Sequence, residues 1–195
     1  MKKIFTVFAV VLTALIGSGC ASGSDPVIFS EVFQLQKGQK LHTAYNLWYT
    51  NPSSLDSRNI QQGSFIPLGT EIEPVSADNN TRKITFKALG KTFTIDFKSG
   101  IRLCTMRDFI AYTFTTADAA ELLKGISPEI RKRIVRGEVV PGMDRKHVEL
   151  AYGPAPAAHT PDSRLETWTY WRDDDKTIRL IFRGDTVRQI LTGGN

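Results

Sequence analysis

In Lys83-Ile84-Thr85-Phe86-Lys87-Ala88-Leu89-Gly90-Lys91-Thr92-Phe93-Thr94-Ile95-Asp96-Phe97-Lys98, apolar and polar residues alternate along two runs with a turn between them. Ile84, Phe86 and Ala88 share one face, and Leu89-Gly90-Lys91 turns the chain. Phe93, Ile95 and Phe97 then point to one side while Thr92, Thr94, Asp96 and Lys98 point to the other. A period of two with a central turn predicts a half-buried antiparallel hairpin. Upstream, Gly63 to Val75 is a further extended run, in which Pro67 is excluded from a central-strand position and Gly69 marks a bend. Residues 27–114 therefore read as a β-rich module, barrel-like in the manner of a small SH3-type barrel.

Downstream the period changes. Thr116 is placed to cap a helix over Ala117–Lys124 that stops at Gly125, and Ser127 to cap a second. In that second helix Pro128 suits the first turn, Ile130 and Ile134 form the buried stripe, and Gly137 ends it. A third short helix starts at Asp144 and runs to Tyr152, with Val148 and Ala151 inward. Thr167–Trp171, Thr177–Arg183 and Thr186–Leu191 then read as consecutive strands, turned at Asp173-Asp174-Asp175-Lys176 and at Gly184-Asp185. The chain as a whole is α+β, and residues 115–195 form a domain of helices on a three-stranded antiparallel sheet.

At the N-terminus, Lys2 and Lys3 precede an apolar or small run from Ile4 to Ile16. A spanning helix needs about 20 apolar residues, so this shorter run reads as a signal sequence ending in Gly17-Ser18-Gly19-Cys20. The cluster resembles a bacterial lipobox. Residues 1–19 would be the signal peptide, Cys20 the lipidated residue, and residues 20–26 a lipidated tether; cleavage near Ala21 without lipidation is the alternative. Two or more acyl chains give stable anchoring, and Ala21-Ser22 after the cysteine implies the periplasmic face of the outer membrane. Cys104 is then left without a partner thiol and reads as a small buried hydrophobe. Without Lys2 and Lys3, the 25 basic residues become 23 against 20 acidic, and the net charge drops from +5 to about +3. So mild a balance makes no case for nucleic acid.

Val140-Pro141-Gly142-Met143-Asp144, Tyr152-Gly153-Pro154, Trp168-Thr169-Tyr170 and Phe182-Arg183-Gly184-Asp185-Thr186-Val187 follow one another in the order seen in the SmpA/OmlA (BamE-like) domain. This resemblance covers roughly residues 126–191, with Gly142, Met143, Gly153, Pro154, Trp168, Tyr170, Phe182 and Val187 as its structural motif. It implies an outer-membrane lipoprotein without catalysis, which binds protein partners of the outer-membrane assembly machinery and lipid.

Several side chains could serve binding. Trp168 and Tyr170 share one strand face and read as core, which leaves Trp171 on the opposite face as an exposed partner contact. Arg131, Lys132, Arg133 and Arg136 form either a solvated helix face or a surface for anionic lipid or an acidic partner. The loop Ala155–Arg164, with Pro156, His159 and Pro161, is a binding loop or a mobile one. Trp48-Tyr49 near Asn46 and Asn51-Pro52 are core, or they line a groove for a peptide or cell-wall glycan. On that second basis the other function class is a peptidoglycan- or ligand-binding envelope lipoprotein. His42, His147 and His159 are scattered, and Asp173-Asp174-Asp175 lacks the spacing of a calcium loop, so no metal, cofactor or enzymatic chemistry is expected.

Overall fold

The computed structural model describes residues 23–194; the signal-like run, Cys20 and Asn195 lie outside the described residues. The first half contains α1 (Phe29–Phe33), β1 (Leu41–Thr43), β2 (Leu47–Tyr49), β3 (Leu55–Asp56), β4 (Ser64–Ile66), β5 (Glu71–Asp78), β6 (Lys83–Ala88) and β7 (Lys91–Asp96), followed by α2 (Ser99–Arg102), α3 (Met106–Thr113) and β8 (Phe114–Thr115). The second half contains α4 (Ala119–Leu122), α5 (Pro128–Val135), α6 (Arg145–Tyr152), β9 (Thr167–Trp171), β10 (Lys176–Arg183) and β11 (Thr186–Gly194). The chain is thus α+β. One curled six-stranded sheet runs β3-β7-β6-β5-β1-β8, a separate antiparallel sheet runs β11-β10-β9, and β2 pairs with β4.

The expected hairpin is β6–β7, paired from Lys83↔Asp96 to Ala88↔Lys91. Leu89 and Gly90 both take positive φ, 51° and 71°, as a two-residue turn matched to strand twist requires. Ile84, Phe86, Phe93 and Ile95 are buried beneath it with Leu41, Phe109 and Phe114. Aromatic contacts chain this core together, from Phe29 to Phe114 (5.8 Å) to Phe86 (5.2 Å) to Phe93 (5.7 Å) to Tyr49 (5.2 Å). In the second half, Ile134, Met143, Val148, Ala151, Trp168, Tyr170, Leu180, Phe182 and Val187 pack between the helices and β9–β11.

The expectations for local structure need four corrections. Residues 27–114 are not all strand and turn, because α1, α2 and α3 lie among them. The last of these forms because Thr105 and Asp108 make a reciprocal capping box and Met106, Phe109, Ile110 and Thr113 fall on one inward face. The helix expected over Ala117–Lys124 is only Ala119–Leu122, and it is capped by Asp118 rather than Thr116: the Asp118 side chain accepts from Glu121 N at 2.9 Å. The tether does not extend to Pro26. Val27 N donates to Ala77 O (2.9 Å), Asn79 N to Asp25 O (2.9 Å), Asp25 N to Asp78 Oδ2 (3.0 Å), and Asn80 Nδ2 to Gly23 O. These bonds lay the chain from Gly23 onward against the end of β5. Finally, the boundary at residue 114 does not separate the two cores completely, since Leu68 is part of the second core.

Asn46 shows how the two halves are joined. It is fully buried, its Nδ2 donates to Ile134 O (2.8 Å) and Ala151 O (3.2 Å), and its Oδ1 accepts from Leu68 N (3.0 Å). One amide from the first half thereby satisfies Ala151 O at the end of α6, a carbonyl left over by its own helix, and adds a second bond to Ile134 O, which already accepts from Gly137 N at 2.9 Å. Leu150 O also accepts from Asn46 N at 3.2 Å. Replacing Asn46 by Ala strands two buried backbone groups, Ala151 O and Leu68 N, and should cost about 3 kcal/mol. Urea unfolding should show that loss as one cooperative transition reported alike by both halves.

Candidate functional site

The residues that line the most polar cleft come from both halves, and Asn59 places them. Its backbone takes φ 57°, its Oδ1 accepts from Trp48 N (2.8 Å), and its Nδ2 donates to Asn46 O (3.0 Å) and Tyr152 O (2.8 Å). An asparagine tolerates this left-handed conformation better than most residues. The turn before it presents Asp56 and Arg58, and β7 runs alongside β3 to bring Asp96 and Lys98 to the same rim.

Arg58 Nη2 donates to Asp56 Oδ2 (2.8 Å) and to Asp174 Oδ1 (2.7 Å), and Lys98 Nζ reaches the same Asp56 oxygen at 2.5 Å. Asp174 stands in the β9–β10 turn, so this pair ties the second half's hairpin to the first half. Burial alone would push the Asp56 carboxyl up, but the hydrogen bonds from Arg58 and Lys98 outweigh it and hold the group below the ordinary carboxylate range. Burial likewise works against the Arg58 cation, and hydrogen bonds to Asp56 and Asp174 more than restore it. Together with Trp48 and Tyr49, these groups enclose a cleft of ≈ 190 Å³. Trp48 Nε1 and Arg58 Nε, on two of the lining residues, have no hydrogen-bond partner among the described residues. A cleft with both signs of charge and an aromatic wall suits a small polar or zwitterionic group.

Trp171 is not the exposed contact that strand alternation suggested. It is 8% exposed, with the Arg58 guanidinium carbon 5.1 Å from its ring centroid and the exposed His159 ring edge-on at 5.1 Å. Its face of β9 is covered by the first half of the chain, and Gln61 N donates to Trp171 O at 2.9 Å. The loop Ala155–Arg164 is held rather than loose: Ala158 N donates to Ile101 O (3.0 Å), Trp168 Nε1 to Ser163 O (3.0 Å), and Thr169 N to Thr160 Oγ1 (3.0 Å). Arg145 adds bonds to Ser163 O (2.6 Å) and Leu165 O (2.9 Å) while lying over Phe182 at 4.3 Å and Trp168 at 5.2 Å.

The basic helix face is divided. Arg131 Nη2 turns back to Leu123 O and Ile126 O (both 3.3 Å), and Arg133 pairs with Glu138 (2.7 Å) and Glu129 (3.6 Å). Lys132 and Arg136 are exposed.

The motif residues converge in space. Met143, Trp168, Tyr170, Phe182 and Val187 are all buried, Gly142 N donates to Val187 O (2.9 Å), and Val187 N donates to Met143 O (2.8 Å). Tyr170 Oη donates to Gly153 O at 2.9 Å. Gly153 has φ 77°, and a Cβ there would meet the Tyr45 ring at 2.6 Å. Pro154 O accepts from Arg102 Nη1 (2.7 Å), whose Nε donates to Ser57 O (2.5 Å). Arg102 is 4% exposed and lies 5.6 Å from the Phe109 ring centroid, a buried cation held by carbonyls and an aromatic face. Cys104 is half-buried, its Sγ 3.5 Å from Tyr112 Oη. His147 closes the capping box of α6 with Asp144.

Among the described residues, no three His, Cys, Asp or Glu side chains gather where a metal could be held, and no helix is long and apolar enough to cross a membrane. Compared with known proteins, the chain matches no family model, no curated protein and no solved structure.

The Asp56 network sets an acid-side stability term. Because the folded pKa lies below the unfolded one, the contribution is complete above the unfolded value near 3.8 and is lost as pH falls through the folded value. Glu149 acts oppositely: burial raises its carboxyl against the pull of Arg145, so stability attributable to it declines as pH rises from 4.5 through the raised value. Asp56→Asn should therefore be less stable than wild type at pH 7, with a gap that narrows as pH falls below 3.8. Chemical denaturation across that range measures the convergence, and a constant gap would reject the assignment.

Proposed function

We propose that this protein is a non-enzymatic, lipid-anchored lipoprotein on the periplasmic face of the outer membrane, serving as a protein-binding scaffold in envelope or β-barrel assembly. The observation that carries the reading is the convergence of the four motif segments between Val140 and Val187 around one core. Residues that resemble the SmpA/OmlA pattern in sequence order also meet as a turn, a capped helix, a Gly-Pro exit and an aromatic strand. With that reading goes the finer description of residues 115–195 as a BamE-like domain and of residues 27–114 as an SH3-like barrel carried in front of it. Lys132, exposed on α5, and Arg136, exposed at its C-cap, are the residues offered to an acidic partner or anionic lipid.

The polar cleft favours a second reading, in which the protein holds a cell-wall component. A peptidoglycan stem peptide carries carboxylates and ammonium groups, which Lys98, Arg58, Asp96 and Asp174 could meet while Trp48 and Tyr49 stack against sugar or peptide.

Intact mass of the membrane-extracted protein should show an acylated Cys20 terminus, absent from Cys20→Ala. Affinity purification of the acylated protein in mild detergent should recover barrel-assembly proteins, with recovery at least about fivefold lower for the Lys132→Glu, Arg136→Glu double variant. If purified sacculi retain the wild-type protein and Lys98→Ala abolishes retention, while no assembly protein is recovered, the second reading replaces the first.

A further inference from the structure

Ile28 and Val75 are large apolar side chains left 44% and 52% exposed, and they stand on the same groove. That groove, ≈ 470 Å³, is also lined by Pro26, Phe29, Leu35 and Pro74, and none of its residues carries a charge. It lies where the described chain begins. Because Asn80 Nδ2 holds Gly23 O and the next residues run along β5, only Ala21 and Ser22 separate the fixed backbone from Cys20. Three peptide steps span at most about 11 Å. Any acyl chain on Cys20 therefore brings the bilayer surface to within about that distance of Gly23, three residues before Pro26 on the groove.

We propose that the groove of Pro26, Ile28 and Val75 is a membrane-contact surface that rests on the phospholipid leaflet and fixes the orientation of the whole protein on it. The proposal rests on the lipoprotein reading of Cys20. Bilayer lipid fits the groove better than an added protein strand does. β5 pairs with β1 only at Glu71 and Ile72; beyond that, Pro74 supplies no N–H and a bulge between Pro74 and Ser76 interrupts the β5–β6 ladder, so the stretch of β5 beside the groove is a poor template for an added strand. Two exposed apolar residues with an uncharged lining add too little to hold a soluble protein on lipid, yet they bias the tilt of one that is already anchored. The cleft and the exposed face of α5 belong to the same body, so this contact would set which way they face.

The test uses the full-length acylated protein in vesicles of phosphatidylethanolamine and phosphatidylglycerol. An environment-sensitive fluorophore is placed on Val75→Cys, on Ile28→Cys or, as the control, on Leu89→Cys, each in a Cys104→Ala background. Leu89 is 61% exposed and sits at the far end of β6, about 20 Å from the turn beside Gly23. Lipids brominated on the acyl chain should quench the labels at 75 and 28 at least about twofold while leaving the label at 89 unchanged. Equal, solvent-like behaviour at all three positions in protein whose mass shows acylation overturns the proposal and leaves the anchor standing. Self-quenching of the label at 75 that grows with protein density, without a response to brominated lipid, assigns the groove to a second copy and also overturns it. An unacylated mass removes the lipoprotein reading itself, and the membrane contact with it.

Discussion

A single buried amide at Asn46 faces three backbone groups, and for two of them, Ala151 O and Leu68 N, it is the partner that no neighbouring helix or strand supplies. Leaving such groups unpaired away from water costs as much as losing the hydrogen bonds outright. The six-stranded sheet and the helices of the second half must therefore stay in register to keep the amide satisfied. Asn59 repeats the device one turn away by reaching Tyr152 O, and Arg102 repeats it with a cation shared between Ser57 O and Pro154 O. Around these polar joints the packing is tight enough that Gly153 has no room for a Cβ against Tyr45.

This joint explains where sequence periodicity was informative and where it was not. The β6–β7 hairpin, the capped α5 and α6 and the β9–β11 meander were all legible, because each depends on residues within a few positions of one another. The short α3 carried its own signal in Thr105 and Asp108, which a strand-oriented reading passed over. Trp171 is a different case. Alternation places it correctly on the face opposite Tyr170, but what covers that face is Arg58, far away in the chain, together with His159 from the preceding loop. Small polar composition from Gly23 to Asp25 suggested a free tether, and composition carries no information about an open strand end waiting to bond it.

The candidate cleft was legible only in fragments. Trp48-Tyr49 stood out as an aromatic pair, whereas Lys98 fell on the polar face of the hairpin and Asp56 and Arg58 belong to no local pattern that singles them out. Asp174 looked like one member of a solvated acidic turn. In the fold that turn divides its labour: Asp173 accepts from Asp175 N and Lys176 N, which shapes the hairpin, while Asp174 crosses to Arg58. The ion pair is partly exposed on one side and is worth modest stability in itself. Its consequence is positional, because it fixes the β9–β10 hairpin against the first half and gives the cleft a second wall.

A function that depends on a site built from both halves requires that they not open separately. Native-state hydrogen exchange tests this at single amides, comparing Leu68 and Val148, which belong to the second core, with Ile84 and Phe86 in the first. The account predicts one common opening free energy for all four. Exchange at Leu68 and Val148 with a free energy at least about 2 kcal/mol below that of Ile84 and Phe86 would show the second half opening alone and would contradict it.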